Sequence, residues 1–200
     1  MESVINGIET LFTSIRGTAA TRVEKLPQSG SDRIYFRIYE GSKTYIATYN
    51  LNQKETQTFI HFSKHFKTAG LPVPEVLAVN SDDTIYIQED LGTESLLNQI
   101  EKEGHSSNVY ALFQKSLAAL ARVQIIGDQD FNYNWCITAK EFGKQAILSD
   151  LLYFKYYFLD TLQLPYDKQA MLEDFEALST YLTHTQHKYF MFRDFQSRNI

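Results

Sequence analysis

The sequence predicts an α+β protein in which strands dominate the first half of the chain and helices the second. Three observations support this prediction: side chains alternate with a period of two over 34–39, helical apolar spacing fills the second half, and the composition changes near residue 91. Strands followed by helices are typical of α+β or two-lobed proteins rather than of alternating βαβ units. We therefore place a β-rich lobe at 1–91 and a helical lobe at 92–200.

The first lobe begins with a helix and continues with three consecutive strands. The chain starts with apolar residues at three- and four-residue spacing, which predicts an amphipathic helix: Val4, Ile8, Leu11, Phe12 and Ile15. β-branched and aromatic runs separated by turn residues predict strands. The elements predicted after the first helix are, in chain order, strands 21–26, 34–39 and 44–49, a helix at about 53–69, and strands 75–79 and 84–88.

The second lobe is predicted to be helical until just before its end. Apolar spacing indicates helices around 96–100 and 112–123, and further helices over 141–160 and 168–182. The run Tyr189 to Phe192 is strand-like and leads into a polar loop.

Composition and charge narrow the function classes. A net charge of −5 argues against a nucleic-acid binder, because binding to a phosphate backbone needs a positive surface. The single cysteine, Cys136, permits no intramolecular disulfide and fits a reducing compartment. The sequence contains no Walker-type Gly-Lys-Ser/Thr loop, and its longest apolar run, 151–159, is interrupted by Lys155. We therefore expect a cytoplasmic protein that binds neither nucleic acid nor membrane; the sequence does not indicate its oligomeric state.

The strongest candidate for chemistry is the polar loop at 193–199. Asp194 is followed five positions later by Asn199. In phosphoryl transfer to a hydroxyl, a carboxylate must meet the acceptor O–H, while an amide oxygen nearby helps to hold Mg²⁺ against the phosphates. An Asp and an Asn at this spacing also occur by chance, so the catalytic interpretation depends on the strand-like run before the loop and on the order of elements.

This loop resembles that of the protein-kinase-like phosphotransferases, within them the aminoglycoside and choline phosphotransferase branch. The family's loop is His-x-Asp-x-x-x-x-Asn: here Phe192 stands at the histidine position, Asp194 at the catalytic aspartate and Asn199 at the metal-binding asparagine. The loop is most similar to that of bacterial anomeric amino-sugar kinases, which phosphorylate N-acetylmuramate and N-acetylglucosamine. The resemblance implies a two-lobed kinase-like fold with an antiparallel β N-lobe and a helical C-lobe, ATP and Mg²⁺ as cofactors, and a sugar or amino-sugar hydroxyl as acceptor.

The resemblance also implies two nucleotide-binding segments in the first lobe. The loop after the first strand resembles the one that covers the ATP phosphates, with main-chain N–H groups of Ser29, Gly30 and Ser31 as contacts. The segment from Glu89 to Leu91 resembles the hinge whose main chain meets adenine. Without the resemblance, both segments would be interpreted as ordinary turns.

One feature of the family is missing. The strand that should carry a phosphate-binding lysine, 44–50, contains none. Glu55 matches the helix glutamate that pairs with that lysine, although an exposed acid in a first helical turn explains it equally well. Our hypothesis is that Arg33 or Arg37 supplies the missing positive charge, because each lies on or beside the phosphate loop.

Candidates for substrate binding lie in the second lobe. The run 151–159 is unusually aromatic; packing between helices is the default interpretation, but tyrosines there also suit a sugar pocket, because aromatic faces stack on sugar rings. Tyr153 and the neighbouring Asp150 are the candidates from this region, and Arg198 in the polar loop is a third.

Two other functions stay open at this stage. A non-catalytic nucleotide-binding pseudokinase or scaffold is suggested by the absent lysine and by Phe192, and an aminoglycoside kinase is disfavoured because the helical half has no dense acidic cluster. The family also has a second metal-binding aspartate after the catalytic loop, and this sequence ends at Ile200, before that point. We therefore expect a C-terminally truncated kinase, and little or no transferase activity from these 200 residues alone.

Overall fold

The protein is described by a computed structural model, which covers residues 1–28, 30 and 32–200. Within these residues it contains one five-stranded antiparallel sheet and six α-helices, which confirms the predicted α+β class. None of the described helices is both long enough and apolar enough to cross a membrane. The chain divides into two compact units, Met1–Trp135 with Phe192–Ile200, and Cys136–Met191. The lobe boundary near residue 91 stays a prediction.

The sheet belongs to the first unit, and its strands match the predicted ones to within one residue at each end. They are β1 (Arg22–Lys25), β2 (Ile34–Glu40), β3 (Lys43–Tyr49), β4 (Val76–Val79) and β5 (Ile85–Glu89). Their order across the sheet is β1-β2-β3-β5-β4, and all neighbours are antiparallel. The β2–β3 hairpin closes with Glu40 opposite Lys43, and Gly41 takes a positive φ of 58° in the turn, a conformation that favours glycine.

Helix α1 (Glu2–Arg16) packs against one face of this sheet. Its apolar spacing puts Ile8 and Phe12 on the buried side, where both are fully inaccessible to solvent. Gly7 permits a close approach to the sheet, because a Cβ there would lie 2.9 Å from Cδ1 of Ile85. The core that results consists of Ile8, Phe12, Phe36, Ile38, Ala47, Ile85 and Ile87.

Three further helices of the first unit begin at polar capping residues. They are α2 (Gln53–Thr68), α3 (Leu96–Glu103) and α4 (Ser107–Ile126). The side chains of Asn52, Ser95 and Ser106 accept hydrogen bonds from main-chain N–H groups of the first turns of these helices. Such caps satisfy donors that the helix itself leaves without partners, which fixes where each helix begins.

The second unit consists of two helices and their connections. Helix α5 (Lys144–Phe154) continues as a π-helical segment, Lys155–Asp160, and α6 (Lys168–Thr183) follows. The helix predicted over 141–160 therefore begins three residues later than expected. The connection to α6 is held by Asp160, whose carboxylate pairs with Lys155 at 2.7 Å and accepts a hydrogen bond from Tyr166 at 2.7 Å.

The prediction of a strand-like run at Tyr189 to Phe192 is wrong. These residues have no regular secondary structure, and no described strand pairs with them. An isolated extended segment gains no ladder of hydrogen bonds, so high β propensity alone does not make a strand. The polar loop that follows must therefore be positioned by other contacts.

Candidate active site

The loop from Asp194 to Asn199 is closed by its own hydrogen bonds. The side-chain amide of Asn199 donates to the main-chain carbonyl oxygen of Asp194 at 2.9 Å, and the N–H of Gln196 donates to the same oxygen at 2.8 Å. Asp194 has a φ of 55°, in the left-handed region, where residues other than glycine are uncommon but Asp and Asn are enriched. The spacing of five residues thus lets the asparagine side chain hold the backbone of the aspartate in a tight turn.

The same loop is anchored to helix α3 of the first unit. A short 3₁₀ turn, Ser197–Asn199, ends the loop, and the N–H of Asn199 donates to the carbonyl oxygen of Gln196 at 2.8 Å. The N–H of Leu96, at the start of α3, donates to the carbonyl oxygen of Ile200 at 2.7 Å. Leu96 itself is buried, so the anchor belongs to the packed part of the unit.

The two side chains expected to do chemistry are both exposed to solvent. Gln196 donates to Oδ1 of Asp194 at 3.3 Å, and the rest of that carboxylate is accessible. The Nδ2 group of Asn199 is occupied by the Asp194 carbonyl, whereas its Oδ1 accepts no hydrogen bond from any described residue. The loop therefore presents a carboxylate and an amide oxygen, and Arg198 is exposed on its 3₁₀ turn.

The exposed amide oxygen of Asn199 fits a magnesium ion as one ligand among several. Mg²⁺ prefers oxygen ligands and is held by one or two protein groups together with phosphate oxygens and water. The described residues contain no group of three or more His, Cys, Asp and Glu side chains that would hold a metal unaided. A metal at this loop would thus depend on the nucleotide for most of its ligands.

The predicted phosphate loop is described only at Gly30. Ser29 and Ser31 lie outside the described residues. Gly30 is exposed at a bend, and a Cβ added to it would meet no atom within 4 Å. Packing against the described chain is therefore not the reason for a glycine at this position.

Arg33 and Glu55 form an ion pair at the edge of the phosphate loop. Nη2 of Arg33 lies 3.3 Å from Oε1 of Glu55, and the other carboxylate oxygen accepts a hydrogen bond from Asn50 at 2.9 Å. Burial opposes the charge on Arg33, but the surrounding Tyr35, Glu55 and Tyr86 outweigh it and raise its pKa. Glu55 thus pairs with a cation that comes from the residue before β2 and not from the strand that the resemblance pointed to.

Arg37 is bound to the segment that follows β5. Its Nε lies 2.7 Å from Oδ2 of Asp90, and its Nη2 is 3.3 Å from the carbonyl oxygen of Gly92. The side chain of Asp90 is only 3% exposed, and that of Arg37 15%. Burial acts to raise the pKa of Asp90, but the N–H of Gly92, the Thr44 hydroxyl and Arg37 together hold it below the ordinary value.

The predicted hinge is fixed at Glu89 and open at Leu91. The carboxylate of Glu89 pairs with Lys67 at 2.7 Å and accepts the N–H of Glu75 at 2.9 Å, while the N–H of Glu89 donates to the Glu75 carbonyl at 3.0 Å. The side chain of Leu91 is 72% exposed, and its main-chain groups form no hydrogen bond within the described residues. The main-chain groups of Leu91 are therefore not committed to a partner among the described residues.

Asp150 and Tyr153 belong to helix α5 of the second unit, and both are exposed. Tyr153 stacks on Tyr157, with ring centroids 4.2 Å apart. The default interpretation expected the aromatic run to pack between helices, but most of its side chains are exposed and form no buried core. Whether these residues contact a substrate stays a prediction.

Comparisons with known proteins find similarity in structure alone. No protein-family model and no curated protein matches the sequence. A candidate aminoglycoside phosphotransferase from Ralstonia eutropha JMP134 aligns over 88% of this chain and 53% of its own, with 14% identity and a TM-score of 0.53. A thermostable mutant of aminoglycoside phosphotransferase APH(4)-Ia aligns over 90% and 61%, with 15% identity and a TM-score of 0.51. This chain has the fold of kinase-like phosphotransferases.

A third structure, a candidate fructosamine-3-kinase from Haemophilus somnus 129PT, aligns over 88% of this chain and 61% of its own, with 14% identity and a TM-score of 0.49. The chain therefore spans between 53% and 61% of the length of these structures. The kinase-like fold confirms the fold class that the sequence predicted.

Two residues of this kinase-like chain were missed by the sequence reasoning. Asp90 binds the arginine that had been considered for the phosphates, and Asn50 holds the carboxylate of Glu55. Asp90 lies inside the proposed hinge, so the sequence already offered it as an acidic partner for a nearby arginine. Asn50 offered no signal, because an asparagine after a strand is an ordinary turn residue.

Proposed function

We propose that the protein is an ATP- and Mg²⁺-dependent small-molecule kinase that transfers the γ-phosphate to a hydroxyl group of a sugar or amino sugar. The observation that carries the proposal is the closed loop in which Asn199 holds the backbone of Asp194. That loop presents one carboxylate and one amide oxygen, the pair that phosphoryl transfer requires, and positions them with hydrogen bonds. The kinase-like phosphotransferase fold supports the same reaction class.

In this proposal Asp194 acts on the acceptor. Its carboxylate accepts a hydrogen bond from the acceptor hydroxyl, orients the oxygen towards the γ-phosphorus and takes up the proton. The new bond joins the acceptor oxygen to the γ-phosphorus, the bond from that phosphorus to the β–γ bridging oxygen breaks, and ADP leaves. Because little covalent chemistry falls to the protein, positioning of the two groups supplies most of the catalysis.

Asn199 would hold the metal through its free Oδ1. Mg²⁺, when bound there, neutralises charge on the phosphate oxygens. Since Nδ2 of the same side chain fastens the Asp194 carbonyl, the amide cannot rotate without breaking the loop closure. The orientation of the metal-binding oxygen is thereby fixed before the nucleotide arrives.

The nucleotide would lie against the first unit. Adenine would bind the main chain at Leu91, whose groups are free within the described residues, and the loop containing Gly30 would cover the phosphates. The roles of Ser29 and Ser31 remain part of the proposal, since the structure does not describe them.

The proposal also specifies the class of molecule that accepts the phosphate. An amino sugar is supported by the resemblance of the loop 193–199 to that of anomeric amino-sugar kinases. An aminoglycoside is the second candidate, supported by the names of two proteins that share the fold. Asp150, Tyr153 and Arg198 stay, each by itself, candidates for a contact with the acceptor.

The test is phosphoryl transfer by the full-length protein, followed by phosphorus NMR. Mg-ATP is supplied with N-acetylglucosamine, N-acetylmuramate or kanamycin, and the variant Asp194→Asn serves as the control of matched shape. We expect a new sugar-phosphate signal that is absent with the variant. ATP binding without transfer to any acceptor would favour a pseudokinase, and transfer that persists in the variant would overturn the role of Asp194.

A further inference from the structure

The two arginines beside the phosphate loop have different surroundings, and this difference assigns them different roles. We propose, on the basis of the kinase function above, that Arg33 supplies the positive charge that binds the ATP phosphates and that Glu55 positions it. Arg37 does not contact phosphate but holds the hinge.

Glu55 is itself held in place before it meets Arg33. One carboxylate oxygen accepts the Asn50 amide at 2.9 Å, and the N–H of Glu55 donates to the side chain of Asn52, the N-cap of α2. The other oxygen is left for Arg33, at 3.3 Å from Nη2. The Glu55 carboxylate is therefore held by two contacts of its residue, and it restricts the long side chain of Arg33 to one direction.

Arg33 keeps donor capacity that the described residues do not use. A guanidinium carries five N–H donors; one nitrogen of Arg33 pairs with Glu55, and the hydroxyl of Tyr86 also interacts with the guanidinium. Its Nε is buried and has no hydrogen-bond partner in the described part of the chain. The side chain is 28% exposed, so part of it still reaches solvent. A buried donor without a partner is unusual, and it indicates a group whose full set of partners is completed by a ligand or water.

Arg37 has no comparable freedom. Two of its nitrogens are bound to the hinge, at Asp90 and at the carbonyl of Gly92, and the pair with Asp90 is almost completely buried. Releasing Arg37 to bind phosphate would leave the Asp90 carboxylate buried without its cation, which is unfavourable. Arg37 is therefore a positioning residue for the segment that meets adenine.

An arginine suits the role that a lysine fills elsewhere in such folds. Its charge persists at every accessible pH, and its planar fork matches phosphate oxygens in a two-point contact. Arg33 directly precedes β2 and, in the sequence, directly follows the segment proposed to cover the phosphates.

The experiment measures equilibrium binding of ATP, ADP and adenosine to the full-length protein by calorimetry, without acceptor. We expect Arg33→Ala to weaken ATP and ADP by about 10- to 100-fold, the value of a charge-assisted contact, and to leave adenosine within about twofold. Glu55→Gln is expected to give a smaller loss of the same kind. Arg22→Ala, on exposed β1 and paired with exposed Glu24, is the matched control that removes one charge without effect.

Arg37→Ala is expected to weaken all three ligands alike, because it acts through the hinge. An equal loss of ATP, ADP and adenosine in Arg33→Ala, or no loss at all, would overturn the assignment while leaving the kinase proposal intact. Failure of the unaltered protein to bind any of the three ligands would overturn both. Thermal unfolding of each variant verifies that it is folded before its affinities are compared.

Discussion

The side-chain amide of Asn199 donates a hydrogen bond to the main-chain carbonyl oxygen of Asp194 over 2.9 Å. This contact joins two residues that the sequence separates by five positions, and it closes a turn in which Asp194 has a positive φ. The side chain of Asn199 therefore fixes the backbone conformation of Asp194, the proposed base, and at the same time the direction of Asn199 Oδ1.

Asn199→Asp tests the hydrogen bond separately from the metal ligand. The variant keeps an oxygen for Mg²⁺ but no longer donates to the Asp194 carbonyl, so the loop loses its closure. We expect phosphoryl transfer to fall by about 100-fold, the size of the effect of a misplaced catalytic group. Asn6→Asp, on an exposed position of α1, adds the same charge and is expected to leave the rate unchanged. Equal rates for Asn199→Asp and the unaltered protein would refute a role for the closure.

Asp194→Asn separates catalysis from stability. Asparagine tolerates the left-handed conformation as well as aspartate does, so the midpoint of thermal unfolding should stay within about 1 °C. Transfer should fall on the order of 10³-fold, because the amide does not accept a proton. Asp194→Ala removes the same group but places alanine at a φ of 55°, which costs about 1 kcal/mol and lowers the midpoint. A large loss of stability in Asp194→Asn would speak against this separation.

Asp90→Asn tests the buried pair with Arg37. We expect the free energy of unfolding to fall by about 3 kcal/mol near neutral pH, because Arg37 loses its charged partner in a buried position. The measurement is denaturant unfolding monitored by tryptophan fluorescence and circular dichroism. Asp82→Asn, in an exposed turn, is the matched control and should change the stability by less than about 0.5 kcal/mol.

The same pair predicts a dependence of stability on pH. Because the folded protein holds the pKa of Asp90 below its usual value, the carboxylate stabilises the fold fully above about pH 4. This stabilisation is lost as the pH falls through the folded-state pKa. The difference in unfolding free energy between the unaltered protein and Asp90→Asn should therefore stay constant above about pH 4 and shrink as the pH falls below it. A difference that grows in acid would show that another group controls it.

Leu91 tests the proposed adenine contact through its main chain. Leu91→Ala removes an exposed side chain and should leave adenosine affinity within about twofold. Leu91→Pro removes the N–H and should weaken adenosine by about tenfold, the value of one hydrogen bond to a ligand. The measurement is the equilibrium dissociation constant of adenosine. If alanine causes the larger loss, the side chain and not the main chain meets the base.

Phe12→Ala tests the packing of α1 on the sheet. Phe12 is completely buried and meets Tyr45 edge to face at a ring distance of 5.4 Å. Removal of its ring should lower the unfolding free energy by about 3–5 kcal/mol. Leu51→Ala, at a position that is 76% exposed, should change it by less than about 0.5 kcal/mol. Similar losses in both variants would mean that α1 contributes little to the core.

The sequence predicted those parts of the fold whose signal is local. The strands followed from a period of two between turn residues, and the loop from Asp194 to Asn199 from residues only five positions apart. The pairing of Arg37 with Asp90 was not predictable, because these residues are 53 positions apart and meet only through the strand order. In that order β3 lies between β2 and β5, with Ile46 opposite both Arg37 and Gln88.

The same limit applies to Arg33. The ion pair of Arg33 with Glu55 depends on the position of the start of β2 relative to the first turn of α2. No local sequence pattern predicts that position. The run from Tyr189 to Phe192 failed for the opposite reason, since its composition favours a strand but the described chain offers it no partner.

The two faces of strand β2 have different roles: one contributes apolar side chains to the core, and the other carries a charged side chain. Phe36 and Ile38 point into the core, and Arg37, between them, points to the other side of the sheet; Arg33 directly precedes the strand, four positions earlier. An insertion of one residue between the two arginines would turn one of them towards the core and move the apolar residues outwards. During evolution this strand should therefore accept almost no change of length, because an insertion or deletion would displace the apolar face and Arg37 together.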